Sequence, residues 1–235
     1  MYPEKQRVVI ATIKSWNIKN AYAFKEKYHD KYDVYVVSNK DQLNRSLLDT
    51  INPHYIFFPH WSWIISEDIF KMFKCIVFHP TDLPYGRGGT PIQNLILRKM
   101  YATKISALAV SGEIDGGDIY LKHDFSVLYG SVEEILQQMS DIVFNEMIPK
   151  ILHSEMVPQK QRGNIEIFKR RKPEQSNIDG AILHTINDFY DFIRMLDGEG
   201  YPKAFLTTEN FKITFSNVQK DGNNRLIGKF EIFST

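Results

Sequence analysis

The sequence predicts an α/β fold: an open, doubly wound, mostly parallel sheet with a small mixed α+β appendage at its carboxyl-terminal end. Three observations predict it. Short apolar runs alternate with longer amphipathic ones up to about residue 153, the pattern of parallel strands joined by crossover helices. The short runs show no polar alternation, as expected of strands covered on both faces. After His153 the pattern changes to turn-rich sequence, one helical stretch and three strand-like stretches.

Val8 to Ile13 is apolar and β-branched and reads as the first buried strand. Asn17 to Tyr28 has helical spacing, with Ala21, Phe24 and Tyr28 on one side. Tyr32 to Val37 is a second strand. Asp41 to Ile51 is a helix with Asp41 as its N-cap. His54 to Pro59 is a third strand. Ser66 to Phe73 is a short helix capped by Ser66, with Glu67 and Asp68 in the first turn, where negative charge is favoured. Cys75 to Phe78 is a fourth strand. Thr90 to Met100 is a helix with Pro91 at its first position. Ile105 to Val110 and Ile119 to Leu121 are further strands. Ser131 to Leu152 is the longest helix, opened by a capping box of Ser131 and Glu134.

Residues 154–180 contain Pro158, Gly163, Pro173 and the basic run Lys169-Arg170-Arg171-Lys172, and read as a linker or surface excursion. Beyond them, Asn187 to Leu196 is a helix. Ala204 to Thr208, Lys212 to Val218 and Leu226 to Phe233 are strands, with Lys220-Asp221-Gly222-Asn223 as a turn. The expected organisation is a catalytic domain over 1–153, a linker over 154–180 and an appendage over 181–235.

Composition removes several function classes. The 235 residues carry 29 Lys and Arg against 28 Asp and Glu, a net charge of +1. That charge provides no field to hold nucleic acid or an anionic membrane surface. One cysteine, Cys75, leaves no intramolecular disulfide or cysteine-cluster zinc site. It fits a reducing cytoplasm, and no metal is expected. No apolar run approaches the ~20 residues of a membrane span, and the amino terminus does not resemble a signal peptide.

In doubly wound sheets, ligands bind at the carboxyl ends of strands. The loops after Ile13, Pro59, Phe78 and Val110 share that rim. The most unusual is His79-Pro80-Thr81-Asp82-Leu83-Pro84-Tyr85-Gly86-Arg87-Gly88-Gly89-Thr90-Pro91. Its glycines permit close backbone approach, the following helix start suits a phosphate, and Arg87 adds a fixed charge. Its spacing matches neither the mononucleotide phosphate loop nor the dinucleotide fingerprint. His79 follows an apolar strand directly, which makes it either a proton-transfer group or a histidine bonded to a loop carbonyl. Residues 112–119, Gly-Glu-Ile-Asp-Gly-Gly-Asp-Ile, form an acidic turn. Asp115 in it is either a partner that orients His79 or a turn carboxylate bonded to local amides. His54, His60, His123 and His184 read as ordinary structural histidines.

His79-Pro80-Thr81-Asp82-Leu83-Pro84 with Gly86-Arg87-Gly88 and Pro91 resembles the signature loop of formyltransferases that use 10-formyltetrahydrofolate. Asp115-Gly116-Gly117-Asp118-Ile119 resembles the same family's Asp-x-Gly-x-Ile turn, and lies at the family's separation of 36 positions from His79. Trp61-Ser62-Trp63-Ile64-Ile65-Ser66 is similar to its hydrophobic pterin-pocket loop. Phe168-Lys169-Arg170-Arg171-Lys172-Pro173 resembles the segment by which sugar-modifying members leave the catalytic domain. The resemblance covers residues 1 to about 175 well and the remainder loosely.

The resemblance implies that His79 shuttles protons as an amine attacks the formyl carbon, supported by Asp115. It implies a cofactor pocket made of Trp61, Trp63, Ile64 and Ile65 with Val110, Ser111, Gly112, Glu113 and Ile114. It points to sugar-nucleotide contacts from Gly86, Arg87, Gly88, Gly89 and Thr90, and from Lys14, Ser15 and Trp16 on the neighbouring loop. The family's asparagine two positions before the histidine is Val77 here, so another donor must face the formyl oxygen.

Among acceptors, glycinamide ribonucleotide is disfavoured, since Thr12-Ile13-Lys14-Ser15-Trp16-Asn17 contains no glycine. Initiator-tRNA formyltransferases carry a longer, basic carboxyl-terminal barrel. The expected activity is therefore that of a sugar N-formyltransferase acting on a nucleoside-diphosphate amino sugar in a bacterial surface-polysaccharide pathway. UDP and dTDP carriers both stay open. The alternatives are a catalytically weak folate- or nucleotide-binding module and a methionyl-tRNA formyltransferase-like enzyme. A homodimer is left open.

Overall fold

The computed structural model describes residues 5–154 and 156–234. Its elements are β1 (Gln6–Thr12), α1 (Ser15–Lys27), β2 (Tyr32–Val37), α2 (Arg45–Ile51), β3 (Tyr55–His60), α3 (Glu67–Phe70), β4 (Cys75–His79), β5 (Tyr85–Gly88), α4 (Pro91–Leu97), β6 (Ala102–Ala109), β7 (Ile119–Ser126), α5 (Val132–Ile142), α6 (Ile148–His153), β8 (Glu166–Phe168), α7 (Ile186–Arg194), β9 (Ala204–Thr207), β10 (Phe211–Lys220) and β11 (Leu226–Ser234).

Six strands form the main sheet in the order β2-β1-β3-β4-β6-β7. The pairs β1–β2, β1–β3 and β3–β4 are parallel, and β4–β6 is antiparallel. The doubly wound, mostly parallel α/β class is the observed one. Val8, Val9, Ile10, Ala11, Ile56 and Phe57 are fully buried. Burial on both faces explains why these strands lack alternation. Chain order runs outward from β1 to β2, then returns past β1 to β3. The carboxyl ends of β1 and β3 therefore flank a switch in strand order, the usual position of a ligand crevice.

Several local expectations are corrected. Asp41 does not cap α2. Asn39 accepts a bond from Asp41 N at a short 3₁₀ turn, Lys40–Gln42, and Asn44 caps α2 by accepting from Leu47 N. The helix expected over 131–152 does begin at the reciprocal Ser131–Glu134 box. It is interrupted by a π-helical turn, Val143–Met147, just before Pro149. Proline has no N–H to give to the carbonyl four residues back, so the ladder shifts there. The glycine loop and the supposed linker each contain a strand, β5 and β8, and these pair with each other.

The chain divides into two compact units that do not follow a single cut near residue 153. The first holds the described residues up to Arg87 with Lys104–Phe125 and Gln137–Glu166. The second holds Gly88–Thr103, Ser126–Leu136 and the residues from Ile167 onward.

In the second unit an antiparallel sheet, β11-β10-β9, pairs Phe215 with Phe230 and Ile213 with Ile232. Arg194 is fully buried. It donates to Asp191 Oδ1 (2.7 Å), Gly130 O (2.9 Å) and Val127 O (3.0 Å). Asp191 Oδ2 also accepts from Tyr101 Oη at 2.6 Å and Lys99 Nζ at 3.1 Å. Among the described residues no helix is long and apolar enough to cross a membrane.

Candidate active site

β4 ends in His79, which is 7% exposed. Strand alternation puts Cys75, Val77 and His79 on one face. His79 Nε2 lies 2.8 Å from Gly86 O, and Nδ1 lies 3.5 Å from Asp115 Oδ2. Both ring nitrogens face acceptors. A neutral imidazole has one N–H and satisfies only one of them; the imidazolium has two. His79 thus bonds a loop carbonyl, one of its two expected roles, and also faces the Asp115 carboxylate. Thr81 Oγ1 also donates to Gly86 O (3.3 Å), and Ser106 Oγ donates to Thr81 O (2.7 Å), which fixes the start of the loop.

Asp115 occupies the left-handed region, with φ of 50°, a conformation Asp tolerates better than most residues. Two residues on, a Cβ at Gly117 would collide with the Ala109 carbonyl, so glycine is required where the turn presses on β6. This turn joins β6 to β7.

Trp61, Ile65, Val77 and Val110 are half-buried and rest on one core cluster that includes Val9, Ala11, Ile56, Phe58 and Cys75. They form an apolar wall on the His79 side of the sheet. Trp61 meets Phe58 and Trp63 edge-on, at ring separations of 5.9 and 4.8 Å. Ile64 and Ile114 are largely exposed, as is part of Trp63. Ser111 Oγ and Glu113 close a local turn next to Gly112. Cys75 is not a nucleophile: burial pushes its thiol up to about 12.

On the neighbouring rim, Lys14 precedes α1 with φ of 74°, and its own side chain does not cap the helix that begins at Ser15 and Trp16. The Trp16 ring stands edge-on to His60 at 5.8 Å.

In the loop over 86–90, where phosphate contacts are expected, the glycines and Arg87 are engaged by the chain itself. A Cβ at Gly88 or Gly89 would meet Phe168 O or Arg170, and Gly89 N donates to Phe168 O. The close approach that these glycines permit is made by the chain's own backbone. Thr90 Oγ1 accepts from Arg171 N. Arg87 is likewise engaged: its side chain is 7% exposed and Nη1 donates to Glu113 Oε1 at 2.7 Å. Its Nε and Nη2 donate to Gln161 Oε1 at 3.0 and 2.8 Å. Gln161 was not legible as a site residue. It lies 46 positions from Asp115, in a stretch read as linker.

A model described as "Formyl transferase" matches residues 7–152. The chain belongs to the formyl transferase family. A second model, "Methionyl-tRNA formyltransferase, C-terminal domain", matches residues 173–233 of this family member. The solved structure of a methionyl-tRNA formyltransferase from Clostridium thermocellum is 50% identical with a TM-score of 0.94, covering 98% of this chain and 100% of that one. A 4-N formyltransferase from Francisella tularensis shares the fold at 18% identity and a TM-score of 0.67, covering 87% of this chain and 93% of that one. The curated methionyl-tRNA formyltransferase of Rickettsia massiliae is 28% identical over 120 residues, 49% of this chain and 40% of that protein. The chain thus spans well under two thirds of that relative's length.

Proposed function

We propose that this chain transfers a formyl group from 10-formyltetrahydrofolate to a primary amine. The observation that carries the reading is His79 facing Asp115 beside a half-buried apolar wall, at the strand ends where this family's signature residues lie. The folate supplies an activated formyl group. Trp61, Ile65 and Val110 would cover its ring, with Trp63, Ile64, Glu113 and Ile114 at the rim. The backbone at Ser111 and Gly112 would read its polar edge. As an amine adds to the formyl carbon, it sheds a proton and the formyl oxygen gains charge. His79 would take up the proton, with Asp115 stabilising the imidazolium. It would return the proton to the folate nitrogen as the bond from that nitrogen to the formyl carbon breaks, so that tetrahydrofolate leaves and the formyl group stays on the amine. With Val77 in place of asparagine, the formyl oxygen needs a donor from elsewhere in the site, since both His79 nitrogens already face Gly86 O and Asp115.

Two acceptors have separate support. The names of the relatives, above all the 50% identical chain, favour methionyl-tRNA. That chain has this chain's length, so length alone does not exclude the tRNA reading. Charge favours a small acceptor. Residues 173–233, which match the tRNA-enzyme carboxyl-terminal model, hold nine Asp or Glu against six Lys or Arg, a net charge of −3. A polyphosphate backbone is held by cations. The reading we adopt is a nucleotide-linked amino sugar, contacted by Lys14, Ser15 and Trp16 at the start of α1, in the cytoplasm. Methionyl-tRNA is the second reading. A homodimer is supported by exposed Phe211, Phe230 and Ile232 on the small sheet.

The test is a formylation assay with UDP- and dTDP-amino sugars and initiator methionyl-tRNA, read by mass spectrometry. A formylated sugar nucleotide, lost by ~100-fold or more in folded His79→Ala and Asp115→Asn, is the expected result. Formyl-methionyl-tRNA without sugar product would replace the first reading with the second. Formyltetrahydrofolate binding with no product from any acceptor would leave a binding module.

A further inference from the structure

We propose that Gln161 is a positioning residue that holds Asp115 against His79, with Arg87 locking it in place. The inference rests on the proton-transfer role proposed for that pair.

The geometry of one side chain carries it. Gln161 Nε2 donates to Asp115 O at 2.7 Å and to Gly117 O at 2.8 Å, so both amide protons are used on the turn that carries Asp115. Its Oε1 accepts from Arg87 Nε and Nη2. Arg87 Nη1 then returns to Glu113 at the start of the same turn. The amide's orientation is fixed chemically, because only the NH₂ end can face two carbonyls and only the oxygen can face a guanidinium.

The turn needs such a clamp. Asp115 is in the left-handed region, which costs a non-glycine residue conformational energy unless its surroundings hold it. Gly117 is pressed onto Ala109 from the other side. Gln161 reaches the turn because its own segment is pinned to the start of β7: Ile119 and Gln159 exchange backbone bonds at 2.8 and 2.9 Å. Arg87 immediately follows Gly86, whose carbonyl faces His79 Nε2. The same network therefore reaches both members of the pair. His79 is placed through Gly86, and Asp115 through Gln161. This explains a mostly buried arginine in the signature loop by geometry, with no phosphate contact.

The test uses the full chain, Gln161→Ala and Gln161→Glu, alone and combined with Asp115→Asn. Gln161→Glu keeps the acceptor for Arg87 and loses the donors, so it keeps the test open if Gln161→Ala fails to fold. The expected result is a ~10–100-fold fall in kcat with little change in either KM, the scale of a misplaced catalytic group. Each double variant should be no slower than Asp115→Asn alone. The His79 ring signals, followed by NMR through a pH titration, should move in the single variants in the same direction as in Asp115→Asn. Full additivity in the double variants, or wild-type kcat with unmoved His79 signals, overturns the proposal. If wild type formylates none of the offered acceptors, the function reading fails by itself. The NMR titration then still decides whether Gln161 holds the pair.

Discussion

The two compact units solve the problem of internal order by different physics. In the first, β1, β3 and β4 are apolar on both faces, and the polar groups collect at the strand ends around His79 and Asp115. In the second, a fully buried arginine sits at the centre, with Asp191, Lys99 and Tyr101 arranged around it. The first also buries a few polar groups, Ser106 bonded to Thr81 and Ser140 bonded to Asn17 among them, but leaves His79 and Asp115 facing each other at the strand ends. The second spends its polar groups on structure, and its hairpin leaves Phe230 and Ile232 exposed.

The sharpest way to break this comparison is Arg194→Ala. Removing one partner leaves the Asp191 carboxylate and two backbone carbonyls short of donors. The expected loss is about 3–5 kcal/mol in urea unfolding. A loss below about 1 kcal/mol would mean that the network is as weak as a surface ion pair, and the contrast would disappear.

A smaller effect is expected at Val77 in the first unit. The side chain is half-buried on the apolar wall, on the same face as His79. Val77→Asn puts an amide where the wall has no partner for it, and should lower stability by about 1–3 kcal/mol without raising turnover. A Val77→Asn protein that is as stable as wild type and several-fold faster would show that the position still aims a donor at the formyl group. The claim that the oxygen's donor comes from elsewhere in the site would then fall.

The smallest effect concerns acid. The Lys99 ammonium, bonded to Asp188 at 2.7 Å, holds the Asp188 carboxyl well below the usual carboxylate range, helped by the Thr185 hydroxyl. A depressed folded value means that the stabilisation is present at neutral pH and is lost as pH falls through and below the carboxylate range. Asp188→Asn should cost about 1 kcal/mol at pH 7, the scale of a helix-capping interaction, and converge with wild type in strong acid. Thermal melts over a pH series check this. A constant gap between the two proteins at every pH would remove Asp188 from the acid response.

Much of the first unit was legible because its signals are local. Val8–Ile13 and Cys75–Phe78 declare themselves as buried strands by composition. The His79 and Asp115 motifs stand out as short glycine- and proline-rich stretches beside strands. The less legible features each had a physical cause. Asn44 displaced Asp41 as cap because capping depends on which side chain reaches a free amide, and several candidates stood within four residues. The π-helical turn before Pro149 is a shift in hydrogen bonding that leaves the apolar pattern nearly unchanged.

By itself, the sequence determined the α/β class, the order of the main-sheet strands along the chain, and two short motifs, at His79 and Asp115, as candidate site residues. Each is written in neighbouring residues, through hydrophobic period, turn chemistry or a short motif. Only the tertiary structure decided which groups meet. It seated Phe168 and Arg170 against the glycines read as a phosphate cradle, turned Arg87 toward Glu113 and Gln161, and brought Gln161 to the Asp115 turn. These contacts join residues 26 to 81 positions apart, and no local pattern encodes a hydrogen bond whose partner arrives only when the chain has folded back on itself.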